Sequence, residues 1–162
     1  MNILPRRTDV TLVAQILLAQ LTHLGGILVY MLFILFAIAL FQWDTATLLI
    51  ISLILILGIS SLFKLLLHRS RPSPQKYTSM LQKVDAGSFP SVHTMRAVSL
   101  VLVFAPLLSS PWSVALASII AGGVAGSRVL LKKHYISDVI VGMIFAVIVH
   151  MLAVYIAGMV TF

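Results

Sequence analysis

The chain contains no cysteine and no glutamate. The first absence excludes disulfides, thiolate catalysis and cysteine metal ligands, and it leaves the redox compartment unreadable. The second leaves four aspartates as the only acidic side chains, with no cluster that would cage a divalent cation. Charge of either sign is scarce: 9% of the 162 residues carry it, against about 25% in an average soluble domain.

Apolar side chains fill the gap. They make up 60% of the sequence, and the mean hydropathy is +1.12. A water-soluble fold of this size could not hide so much of it. The composition therefore predicts a single domain over residues 1–162, an all-α helical bundle embedded in a bilayer. The sparse charge is lopsided, with eleven Lys and Arg setting a net +7. In a membrane protein that excess suits anionic lipid, an anionic substrate or an orientation signal, and no nucleic-acid partner is expected.

A helix needs roughly 20 mostly apolar residues to cross a bilayer. Five stretches qualify, at about 25–42, 46–67, 90–108, 112–131 and 138–160. Val10–Thr22 is too short to cross unaided and is expected to form an interfacial or shallow helix. No small-residue cleavage site follows Arg6 and Arg7, so no removable leader is expected. Residues 68–89 form a long polar loop containing prolines and four Lys or Arg.

About five spans put the N-terminus, this loop and residues 132–138 on one face. All eleven bases fall on that face or at its helix ends, while the opposite face has Asp44, Trp43 and Trp112. With Lys64, Arg71 and Arg128 set aside for chemistry, the count is still eight to none. The positive-inside rule makes the basic face cytoplasmic.

Three polar groups converge there. In "KLLLHRSRP", Lys64 stands about two helical turns before Arg71-Pro72, and two cations at one depth can neutralise a phosphate. Snorkelling at a helix end would equally account for them. In "GSFPSVHTMRA", Pro90 suits a first helical turn, and the hydroxyls of Ser88 and Ser91 lie near free N–H groups that attract an anion. His93 stands one turn inside, where it could donate a proton. In "SRVLLKKHYISD", Arg128 precedes His134 and Asp138. A carboxylate bonded to one imidazole nitrogen fixes the tautomer and frees the other as a nucleophile.

Lys64…Arg71-Pro72, Pro90-Ser91-Val92-His93 and Ser127-Arg128…His134…Asp138 together resemble the three-part signature of the type 2 phosphatidic acid phosphatase (PAP2) superfamily: K-x6-R-P, P-S-G-H and S-R-x5-H-x3-D. Order and spacing agree; the departure is Val92 at the usual glycine. The resemblance implies a membrane lipid-phosphate phosphatase that needs no metal or cofactor. His134 would attack phosphorus and form a phosphohistidine, oriented by Asp138, and His93 would protonate the leaving oxygen. Lys64, Arg71, Ser91, Arg128 and the backbone N–H of Val92 would hold the phosphoryl oxygens. The expected substrate is a lipid phosphomonoester or diphosphate, with polyprenyl forms first and phosphatidic acid or phosphatidylglycerophosphate next. A lipid phosphotransferase using the same residues, or a silent lipid-binding protein, are the alternatives. Related vanadium haloperoxidases share a similar pocket but are soluble and larger. Oligomeric state is not legible.

Other polar residues are assigned duller roles. His150 lies roughly 18 Å from Asp138 along the last helix and should be a buried, hydrogen-bonded histidine. His23 could line the headgroup entrance, and Arg96 is expected to snorkel. Gly122 and Gly126 suggest close helix packing. His68, Arg69, Lys76 and Lys83 are read as residues that recruit anionic lipid surfaces or merely set topology.

Overall fold

The computed structural model describes residues 7–73, 79 and 86–160. Arg6, Lys76 and Lys83 lie outside the described residues. Among those described there are six α-helices and no strand: α1 (Arg7–His23), α2 (Ile27–Ala39), α3 (Trp43–Leu66), α4 (Val92–Phe104), α5 (Pro111–Leu130) and α6 (Ile136–Val160). A 3-10 turn, Ala105–Leu107, continues α4.

The helices are apolar around most of their circumference, so packing inside the bundle leaves large side chains outside. Leu28 is 78% exposed, Ile119 70% and Met151 67%. Such a surface is stable against hydrocarbon rather than water. Three helices, α3, α5 and α6, are long and apolar enough to cross a membrane, and the bent pair α1–α2 is a fourth candidate if taken as one span. The five expected spans are thus not five straight crossings. Residues 25–42 supply only the 13-residue α2, and residues 90–108 supply the 13-residue α4 with its three-residue extension.

The break between α1 and α2 bends the pair by 42°. Gly25 is required there, because a Cβ would stand 2.8 Å from the His93 carbonyl oxygen and 2.7 Å from a Val124 methyl. Arg96 secures the bend by donating from Nε to the Gly25 carbonyl at 2.9 Å. The expected snorkelling arginine is therefore a buried structural one.

Helix α4 is central and packs against α2, α3, α5 and α6. Three apolar clusters surround it. Tyr30, Ile34, Leu49, Leu53 and Val103 join α2, α3 and α4. Ile56, Met95 and Val149 join α3, α4 and α6, and Ala97, Ala121 and Val124 join α4 to α5. Inside the first, the Tyr30 hydroxyl is 3.0 Å from Ser99 Oγ, which keeps that buried oxygen satisfied.

Gly122 and Gly126 do not mediate close packing among the described residues: a Cβ at either would meet none of their atoms within 4 Å. The tight contact is one residue over, where a Cβ on Gly123 would meet Leu21 at 3.1 Å. His150 differs from expectation too. It is half-buried in α6, and its Nδ1 has no hydrogen-bond partner among the described residues.

Candidate active site

The directions of four helices bring the three sequence groups together. Helices α3 and α5 end, and α4 and α6 begin, at the same end of the bundle. Lys64 and Arg128 occupy the last turns of α3 and α5, and Asp138 the first turn of α6. Trp43 and Trp112 stand at the other end and are exposed.

The turn after α5 explains how His134 comes back beside Arg128. Lys132 adopts a left-handed conformation (φ 53°), and its N–H bonds the Val129 carbonyl at 2.9 Å. The Lys133 and His134 N–H groups both bond the Arg128 carbonyl, at 3.0 and 3.1 Å. This is the Schellman pattern, which reverses the chain within a few residues and satisfies carbonyls that a helix end leaves free.

His134 is buried and held at both ring nitrogens. Its Nδ1 lies 2.6 Å from the Ser88 carbonyl oxygen. A carbonyl only accepts, so Nδ1 carries the proton and Nε2 keeps its lone pair. That lone pair faces Arg128, whose Nη2 stands 3.4 Å away. Burial pushes the imidazole from its usual 6.5 down to about 3, helped by the charges of Arg128, Arg71 and Lys64 and opposed by the Ser88 bond. The ring is thus a neutral base among cations, which is the state a nitrogen nucleophile requires.

Asp138 does not make the direct bond to the ring expected of it. Its Oδ2 is 3.8 Å from Nδ1, outside hydrogen-bond reach. The carboxylate is fully buried and taken by other donors: the Tyr135 N–H at 2.9 Å on Oδ2 and Arg69 Nη1 at 2.7 Å on Oδ1. Charge-assisted donors outcompete an imidazole N–H that has its own carbonyl.

Helix α4 starts later than the sequence suggests. Pro90 follows a cis peptide after Phe89, and Ser91, not Pro90, is the residue before the first helical turn. The Ser91 hydroxyl makes no cap bond; it accepts from Thr94 Oγ1 at 2.9 Å, and the Ser91 N–H bonds the Asp138 carbonyl at 3.0 Å. The latter bond ties the start of α4 to α6. Gly142 permits it, since a Cβ there would stand 3.0 Å from the Ser91 carbonyl. Val92 turns its side chain away from the polar end and packs against the Ile56–Met95–Val149 cluster. His93 is half-buried in the first turn, and Arg71 is half-buried in the segment after α3.

Ser88 and Arg69 were not singled out for these roles by the sequence. Ser88 contributes a backbone oxygen, which no side-chain pattern announces. Arg69 lies between Lys64 and Arg71 and looked like one more basic flank. His23, a possible entrance residue, is exposed at the end of α1.

An apolar cavity of about 440 Å³ lies nearby, between α2, α4 and α5. Leu24, Phe33, Ala97, Val101, Phe104 and Val124 are among its walls. Ala97 is one turn below His93 on α4, and Val124 one turn before Arg128 on α5, so both walls lead to the polar end.

The sequence model of the PAP2 superfamily matches residues 45–162. The crystal structure of Aquifex aeolicus LpxE has a similar fold, with a TM-score of 0.74 at 18% identity, covering 88% of this chain and 86% of that one. No curated protein sequence matches the chain.

Proposed function

The chain belongs to the PAP2 superfamily and is a membrane-associated lipid phosphatase of that family, and from this premise we propose that it works through a phosphohistidine on His134 and prefers polyprenyl phosphates or diphosphates. The observation that carries the proposal is the His134 tautomer: Nδ1–H donates to Ser88, and Nε2 is left as a base beside Arg128.

In the first step the Nε2 lone pair attacks phosphorus, the bond to the lipid oxygen breaks, and His93 passes that oxygen a proton. The ring then carries positive charge, which the Asp138 carboxylate at 3.8 Å offsets. In the second step His93 takes a proton from water, the water oxygen bonds phosphorus, and the P–N bond breaks to restore His134. Lys64, Arg71, Arg128, the Ser91 hydroxyl and the Val92 N–H bind the equatorial oxygens. Phosphoryl transfer draws most of its acceleration from such positioning and charge.

A tail that stays in the bilayer suits the cavity beside the site. Its walls are apolar side chains of α2, α4 and α5, which suits the first part of such a tail. The lopsided basic charge supports a cytoplasmic active-site face. Labelling of Ser79→Cys by an impermeant reagent on intact cells would contradict that orientation.

Phosphate release from a panel of lipid phosphates in detergent, with native protein and His134→Ala, tests the reaction. Release from polyprenyl substrates that disappears in the variant is expected. Release that survives His134→Ala would remove the nucleophile, and label recovered in a second lipid would make the protein a transferase.

A further inference from the structure

Arg69 makes four contacts that converge on the His134 ring from outside. Its Nη1 donates to Asp138 Oδ1 at 2.7 Å and to Ser137 Oγ at 2.8 Å. Its guanidinium carbon lies 4.1 Å from the centre of the Tyr135 ring, in cation–π range. Its backbone carbonyl accepts the Ser88 N–H at 2.8 Å. The last contact matters because the other side of the same residue, the Ser88 carbonyl, receives the Nδ1 proton of His134.

We propose that Arg69 is a positioning residue for the reaction, fixing both acceptors that govern His134: the Asp138 carboxylate through its guanidinium and the Ser88 carbonyl through its own backbone. The inference rests on the reading of His134 as nucleophile.

Its physical content is a division of labour. Asp138 is fully buried, whereas the Arg69 side chain is 41% exposed at the rim. Without the guanidinium, Asp138 keeps the Tyr135 N–H on Oδ2 and loses the cation on Oδ1. An uncompensated buried carboxylate is costly and takes the nearest donor available. That donor is the Nδ1–H of His134, 3.8 Å away. The ring would rotate from Ser88 towards Asp138, and Nε2 would swing with it. Arg69 therefore holds the carboxylate close enough to offset a cationic ring but too far to capture its proton in the resting state. The planar guanidinium holds both Nη1 bonds while it lies over the Tyr135 ring, which fixes geometry as well as charge, so lysine replaces Arg69 only in part.

The test compares native protein with Arg69→Gln and Arg69→Lys, using polyprenyl phosphate in detergent. Arg69→Gln should lower kcat by on the order of 10- to 100-fold, the scale of one charge-assisted bond, with KM changed less than about threefold. Arg69→Lys should recover part of the loss. The charges facing the His134–Asp138 pair are Arg128 from α5 and Lys64 and Arg71 from α3 and its following segment, and the titratable group facing it from α4 is His93. All of these persist in Arg69→Gln, so removing one cation should move the acid limb of kcat/KM to higher pH, and Arg69→Lys should return it. A fold-stabilising role alone would lower the melting midpoint without moving that limb.

Native kcat in Arg69→Gln overturns the inference, and so does a raised KM at unchanged kcat, which would make Arg69 a substrate contact. If the native protein releases no phosphate, the reaction proposed above has failed instead. The inference is then read by 15N-histidine NMR, where Arg69→Gln should shift the His134 Nδ1 resonance. An unchanged resonance overturns it independently of turnover.

Discussion

The Ser88 carbonyl oxygen lies 2.6 Å from His134 Nδ1, nearer than the Asp138 carboxylate at 3.8 Å. A neutral acceptor thus sets the tautomer, and the anion stands in reserve. On the proposed phosphohistidine route, this arrangement would favour a neutral ring before attack and offset a cationic ring after it.

This has a consequence for stability. In the folded chain His134 titrates at about 3, against an ordinary value of 6.5. Between those values the unfolded chain binds a proton that the folded one does not, so stability rises with pH through the window and is lost on acidification. The melting midpoint in detergent should fall from pH 7 to pH 4.5. In His134→Gln the same acidification should cost less. Equal falls in both proteins would show that the ring is not held neutral by its surroundings.

Val92 stands where the family pattern has glycine, yet its side chain is engaged with Ile56, Met95 and Val149. Val92→Gly should destabilise the protein by about 1–3 kcal/mol, from lost apolar burial and added backbone freedom. The backbone N–H is common to both residues, so kcat should stay within about threefold. A large gain in kcat would mean that the valine side chain obstructs the phosphate.

The candidate site was legible in the sequence wherever side-chain chemistry marks it. Lys64, Arg71, His93, Arg128, His134 and Asp138 sit at helix ends or in the segments that join them, and alternating apolar stretches bring those ends to one face. The contacts that orient them were not legible. The Ser88 acceptor and the Ser91 N–H that bonds the Asp138 carbonyl are backbone groups, which every residue possesses. Arg69 was hidden because a basic flank and a buried-carboxylate partner have the same sequence signature. The start of α4 at Val92 was not legible, because Pro90 reads as a first-turn residue although Ser91 is the one that precedes the helix. The glycine pair Gly122/Gly126 misled for a related reason, since spacing says nothing about which face meets a neighbour.

Gly25 tests the link between the bend and the site. Its missing Cβ leaves room for both the His93 carbonyl and Val124. Gly25→Ala must push α1–α2 away from α4 or displace His93, at about 1–3 kcal/mol for such overpacking. Arg96→Met, which removes the bond to the Gly25 carbonyl and adds no bulk at the bend, should destabilise less and leave the backbone of His93 in position. Activity measured per folded molecule should therefore fall in Gly25→Ala and persist in Arg96→Met. Equal activity in both would uncouple the bend from the site.

The cavity makes the sharpest prediction about substrate. Ala121 lines it from α5, about two turns before Arg128 and away from the polar end. Ala121→Phe fills that space without touching any group assigned to chemistry. For a polyprenyl phosphate, KM should rise on the order of tenfold, because about two buried methylene groups at ~0.8 kcal/mol each lose their contacts. For a phosphomonoester with a tail of only a few carbons, KM and kcat should match the native protein. That split separates tail binding from general damage, since a distorted site would slow both substrates alike. Identical kinetics for the long-tailed substrate in native and Ala121→Phe protein would mean that the tail leaves the site by another path.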